Sequence, residues 1–345
     1  MKTIINVLKW LGIAAAGIIS LACLFLLVVY AYNKVQLNRE TALICHKGQY
    51  VEVDGHNMNI YTEGSGDRTL VFMAGSSIPS PILEYKPLYN RLSDQYRIVV
   101  IEKFGYGYSD ETGGERTPDI LLENDREALS KAGIEGPYIL CPHSVSGLEA
   151  ILWANTYPDE VEAIIGLDMA VPEQYDCMGA KFDKAYAMTP EEWNKAMSSY
   201  FFILRSGLMR LMYDIEEALP ASASPELTAE ERAEYRALAY AKHGLAGDST
   251  MYHEQWTTER FMEVMQGICD GPKPDVPTLL LVSDGSATGM YMSPDDWKLI
   301  QSNYIEGLSG ARLVQLDCGH YIYIYEPDRV AGEIRSFIED TFDKE

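Results

Sequence analysis

Short apolar runs and helical patterns alternate along most of this chain, and that alternation limits the fold more than any other feature of the sequence. Tyr50-Val51-Glu52-Val53 and Met58-Asn59-Ile60-Tyr61 alternate polar with apolar around Asp54-Gly55, the pattern of a hairpin. Runs at 69–73, 97–101, 138–141, 161–167, 278–282 and 312–316 read as further strands. Helical patterns lie near 85–92 and at 118–131, 147–156, 294–304 and 328–340. Thr117 is the expected N-cap of the second of these, with Pro118 in its first position. Strands that are apolar on both faces and separated by helices predict a mostly parallel sheet covered by helices.

The rhythm breaks once. From 172 to 270 there are helical patterns and no strand, and both Thr189-Pro190-Glu191-Glu192 and Thr228-Ala229-Glu230-Glu231 look like helix starts. The expected division is a short N-terminal segment at 1–10, a membrane-spanning helix at 11–32, a polar stalk at 33–48, a core at 49–171 and 271–345, and a helical cap at 172–270. An insertion placed there lies over the carboxyl ends of the strands, where open α/β sheets bind ligands.

The 22 residues from Leu11 to Tyr32 carry no charge, and at about 1.5 Å per residue they span the hydrocarbon of a bilayer. A cleaved signal peptide would have a shorter run, and only Val29-Tyr30-Ala31 resembles a cleavage site. Cys23 lies mid-run, not at its end, so a lipoprotein anchor does not fit. The expectation is an uncleaved single-pass anchor in the cell membrane. Lys2 and Lys9 favour a cytoplasmic N-terminus and an extracytoplasmic domain, against Lys34, Arg39 and Lys47 on the far side.

The net charge is −23, of which residues 1–47 contribute +4 and the remainder −27. Such a surface repels nucleic acid, so no nucleic-acid partner is expected. The six cysteines show no spacing suited to a metal, and they read as free or buried thiols. No metal or cofactor is expected.

Pro142-His143-Ser144-Val145-Ser146-Gly147 joins the strand at 138–141 to the helix at 147–156. A serine on a sharp strand-to-helix turn stands clear of the backbone. The alternative is an ordinary helix N-cap serine. Together with Met73-Ala74-Gly75-Ser76-Ser77, Phe104-Gly105-Tyr106-Gly107-Tyr108-Ser109 and Cys318-Gly319-His320, this turn resembles the α/β-hydrolase fold family over residues 49–345. Pro142 and Ser146 replace the glycines of the family's G-x-S-x-G elbow.

The resemblance implies a Ser/acid/His triad under a helical lid, without a cofactor. Ser144 matches the nucleophile and His320 the general base. His46, His56, His143, His243 and His253 fit less well, and His143 is expected to pack beside the nucleophile. The acid is Asp168, at the end of the strand 161–167, or alternatively Asp284, at the commoner family position but slightly early, since the family's acid usually falls near Ser286. Position favours Asp168. The oxyanion hole is assigned to the backbone N–H groups of Val145 and Ser76.

The expected function is a membrane-anchored serine hydrolase acting on an ester or amide of a small, partly apolar molecule, esterase- or lipase-like. The alternatives are a proline-iminopeptidase-like aminopeptidase, with Glu191 or Glu192 holding an ammonium, and a silent hydrolase fold that only binds. The aromatic and Met side chains of the insertion, including Tyr200, Phe201, Phe202, Met209, Met212, Tyr213, Tyr235 and Tyr240, are expected to divide between packing and an acyl pocket.

Overall fold

The computed structural model describes residues 2–343 apart from 178, 180–181, 213–214, 242–249 and 290–291. His243 and Tyr213, both named above, lie outside the described residues. Eight strands form one sheet: β1 (Gln49–Val53), β2 (His56–Glu63), β3 (Thr69–Met73), β4 (Arg97–Glu102), β5 (Tyr138–Pro142), β6 (Val161–Leu167), β7 (Thr278–Ser283) and β8 (Arg312–Leu316). Their order is β1-β2-β4-β3-β5-β6-β7-β8. Pairing is antiparallel within β1-β2-β4 and parallel from β4 through β8. The antiparallel end is the hairpin that Asp54-Gly55 predicts, with Asp54 at φ 48° and Gly55 at φ 77°.

Helices occur in the order α1 (Lys2–Thr41), α2 (Pro81–Tyr89), α3 (Pro118–Lys131), α4 (Ser146–Thr156), α5 (Pro172–Cys177), α6 (Pro190–Ser206), α7 (Met209–Met212), α8 (Ile215–Ala218), α9 (Ala229–Ala241), α10 (Glu259–Asp270), α11 (Asp284–Gly289), α12 (Pro294–Ile305), α13 (Ile322–Tyr325) and α14 (Pro327–Ile338). Alternate strand residues feed opposite faces of the sheet. Val71 and Met73 pack with Leu148, Ile151, Met265 and Trp297 on one side. Leu70 and Phe72 pack with Leu88, Tyr323, Ile334 and Phe337 on the other. This two-sided cover explains why the central strands are apolar throughout.

Between β6 and β7 the described residues hold helices and no strand. Thr189 and Thr228 both start helices there, and each exchanges hydrogen bonds with the glutamate three residues on, Glu192 and Glu231. Glu192 is therefore a capping side chain, and Glu191 is an exposed first-turn residue.

One element is longer than the sequence pattern suggests. The helix that carries the apolar run starts at Lys2 and continues through Thr41, across most of the stretch read as a polar stalk. Its polar residues there have partners: Arg210 of α7 donates to Asn33 Oδ1 at 2.6 Å and to Glu40 Oε1 at 2.7 Å. Val29 and Asn33 are buried.

Candidate active site

β5 ends at Pro142, level with Met73 of the neighbouring β3, and the chain then turns sharply into α4. Ser144 sits in that turn at φ 55°, a left-handed conformation that few non-glycine residues adopt. Of the two replaced elbow glycines, the one at 146 has a physical account. Ser146 Oγ lies 2.9 Å from Met73 O and 2.8 Å from His143 O, and accepts the His143 N–H at 2.9 Å, so the hydroxyl pins the turn to β3. The close approach moves to the next residue: a Cβ on Gly147 would stand 2.4 Å from Ala170 O. Gly75 serves similarly on the facing loop, where a Cβ would fall 2.8 Å from Ser144 Cβ. That proximity brings the loop carrying Ser76 to Ser144. Among the described residues, neither the Ser76 nor the Val145 N–H donates to a backbone carbonyl.

Asp168 follows β6, also in a left-handed conformation at φ 53°, and is 3% exposed. Its Oδ1 accepts the Ser283 N–H at 2.7 Å. Its Oδ2 lies 2.6 Å from His320 Nδ1. His320 stands on the loop between β8 and α13. Asp284 is placed differently: it opens α11, and its Oδ1 accepts the Gln315 side-chain amide at 2.6 Å. It has no hydrogen bond to His320.

Ser144, Asp168 and His320 meet in a cavity of about 280 Å³ with Ala170, Gln174, Gly285, Ser286, Gly289 and Trp297. Ser286 is a contributor not assigned from sequence. Its hydroxyl donates to Asp168 Oδ2 and lies 2.9 Å from His320 Nδ1. It occupies the place where the resemblance expects the acid, which is the signal that pointed to this spot.

His143 packs beside the site, as expected. It is buried, its ring lies 4.4 Å from that of His320, and burial together with His320 holds its pKa well below the usual 6.5. Its Nδ1 is 3.4 Å from the Tyr323 hydroxyl. That hydroxyl reaches Glu84 Oε1 at 3.4 Å, and Tyr235 of α9 donates to Glu84 Oε2. His46 stacks on Tyr50 with its Nε2 2.9 Å from Asn59 Oδ1, His56 lies against Phe104, and His253 stacks on Trp256. None of these three reaches the cavity.

No family model matches the chain. The uncharacterized protein YbdG of Bacillus subtilis (strain 168) is 35% identical over 338 residues, 96% of this chain and 96% of its own length. The 2-(acetamidomethylene)succinate hydrolase of Mesorhizobium japonicum is 30% identical over 120 residues, 34% of this chain and 41% of its own. Among solved structures, the haloalkane dehalogenase DbeA-M1 loop variant from Bradyrhizobium elkanii superposes with a TM-score of 0.58 at 16% identity, covering 86% of this chain and 99% of that one. With the strand order, the elbow after β5 and the histidine loop after β8, these likenesses agree: the chain has the α/β-hydrolase fold, and it belongs to one family with YbdG.

Proposed function

We propose that the protein is a membrane-anchored serine hydrolase that cleaves an ester or amide through an acyl-enzyme. The observation that carries this reading is the 2.6 Å contact between His320 Nδ1 and the buried Asp168 carboxylate, on the wall of the cavity that also holds Ser144. With Nδ1 committed to the carboxylate, Nε2 is the nitrogen left to take the Ser144 proton. Ser144 Oγ attacks the carbonyl carbon, and the oxyanion is bound by the Val145 and Ser76 N–H groups. His320 then protonates the leaving group. It next takes a proton from water, which attacks the acyl-serine and releases the acid. Serine at the nucleophile position fits acyl transfer. The Mesorhizobium relative is named as a hydrolase, which agrees with this class of reaction.

In this reading the helices between β6 and β7 form a lid, and α1 is a retained single-pass anchor with the catalytic domain outside the cell. Its length and apolar character fit a membrane span. Its contacts favour retention: a leader removed after Ala31 would take away the buried Val29.

Labelling with a fluorophosphonate probe tests the proposal. The full-length protein in detergent is expected to label, and Ser144→Ala to abolish the signal. Asp168→Asn is expected to slow turnover by about 10⁴-fold, the scale seen when a triad acid loses its charge, while Asp284→Asn changes it little. A folded wild-type protein that stays unlabelled would instead be a binding module.

A further inference from the structure

The loop that carries Ser76 is held by a residue that the mechanism above does not use. Ser77, next in the chain, sits at φ 66°, a left-handed conformation that a non-glycine residue keeps only where its surroundings enforce it. Its N–H donates to the Tyr106 hydroxyl at 3.3 Å. That hydroxyl donates in turn to Glu254 Oε2 at 2.7 Å. Tyr106, on the loop after β4, is fully buried, and the Glu254 side chain is 6% exposed.

Glu254 belongs to the inserted region between β6 and β7, in a 3₁₀ helix at Thr250–Gln255. That segment is docked on the 105–112 loop. The Thr250 N–H donates to Glu111 Oε2 at 2.6 Å, and the Thr250 hydroxyl accepts the Thr112 N–H at 2.6 Å and donates to Thr112 O at 2.7 Å. A Cβ on Gly105, itself at φ 82°, would fall 2.7 Å from Thr250 Cβ, so the close approach depends on glycine there. Buried Arg116 places Nη2 3.6 Å from Glu254 Oε1 and supplies a countercharge.

A phenol has one proton to give. With Glu254 taking it, the lone pairs of the Tyr106 oxygen are left for the Ser77 N–H. Without Glu254 the O–H is free to turn toward that N–H, and two donors then face each other. Burial, and then Glu254, hold the Tyr106 pKa well above the usual 10, so the phenol stays protonated at neutral pH. The peptide unit is planar, so fixing the Ser77 N–H also fixes the Ser76 carbonyl, one side of the residue whose own N–H is assigned to the oxyanion.

We propose that Tyr106 is the positioning residue of the oxyanion loop and that Glu254 sets the direction of its hydroxyl, so that the oxyanion hole depends on the inserted region being docked. This rests on the acyl-enzyme reading above. Neither residue lines the catalytic cavity, and both act through Ser77.

The rate of fluorophosphonate labelling of the full-length protein in detergent tests it. The end point of labelling reports the folded fraction, and the rate constant reports how well the folded site holds the charged phosphonyl oxygen. Tyr106→Phe is expected to lower the rate constant about 10-fold, less than the roughly 10²–10³ of losing an oxyanion donor outright, with the end point kept. The kcat for p-nitrophenyl acetate is expected to fall with it while KM changes little. Glu254→Leu is expected to lose as much as Tyr106→Phe, and Glu254→Gln, whose amide oxygen still accepts the phenol proton, to lose less. The Glu254 pair decides the matter where Tyr106→Phe does not fold. A folded Tyr106→Phe protein with a rate constant within about two-fold of wild type overturns the proposal, as do Leu and Gln variants that are equally slow. A lower end point at an unchanged rate constant also overturns it, leaving the network a role in folding alone. Wild-type protein that never labels sinks instead the acyl-enzyme on which the proposal rests.

Discussion

In the proposed triad, Asp168 and Ser286 divide between them a position that one carboxylate usually fills. Asp168 approaches His320 from the end of β6, and the Ser286 hydroxyl on α11 reaches both the carboxylate and the imidazole. A carboxylate carried at 286 would have the same nitrogen within reach. Asp168→Asn is therefore expected to be partly rescued by adding Ser286→Asp, with kcat recovering at least about 10-fold over the single variant by the usual scale of triad effects. Steady-state kinetics of the two proteins decides it, and a double variant no better than the single would show that 286 cannot orient the ring. Much of this was legible. Ser144 and His320 each sit in a local pattern, and Asp168 closes an apolar strand. Asp284 also sits in such a pattern, and only the fold reveals its bond to Gln315. The Ser286 role is a contact between loops far apart in sequence, which no local pattern encodes.

At the scale of elements, helices α2, α9 and α13 meet around one buried carboxyl. Burial pushes Glu84 up to about 7, against the lowering effect of the Tyr235 and Tyr323 hydroxyls that bond it. Its ordinary value is 4.5, so between these two values the folded protein holds a proton that the unfolded chain has lost. Stability from this group is therefore full below pH 4.5, falls as pH rises and is gone above about 7. The loss is at most about 3 kcal/mol. Glu84→Gln, always neutral, is expected to flatten that part of the pH–stability curve and to gain on the wild type at pH 8. Denaturant midpoints across the range measure it, and parallel curves would refute the assignment. The strands and most helices were readable because period and capping chemistry are local. The tail of α1 was not, because Asn33 and Glu40 look like solvent-facing residues until Arg210, far along the chain, comes to meet them.

For the whole molecule, the attachment of α1 matters most. Its described side-chain partners lie in the region between β6 and β7, through Arg210. Arg210→Ala is expected to free the end of the helix and expose the bonds after Lys34 and Arg39 to trypsin, as local unfolding makes backbone cleavable. Equal digestion of variant and wild type would mean that Arg210 does not hold the helix. The connection also extends inward. α9 is tied to the sheet side of the molecule by Glu231 to Lys86, Tyr235 to Glu84, and Glu234 to the Tyr108 hydroxyl at 2.6 Å. Mechanically these are links in series. With α1 as the proposed anchor, a sideways pull on it loads the inserted helices through Arg210 as well as β1, which the chain enters directly at Gln49, and one branch of that load path ends at Tyr323 and His143, against the ring of His320.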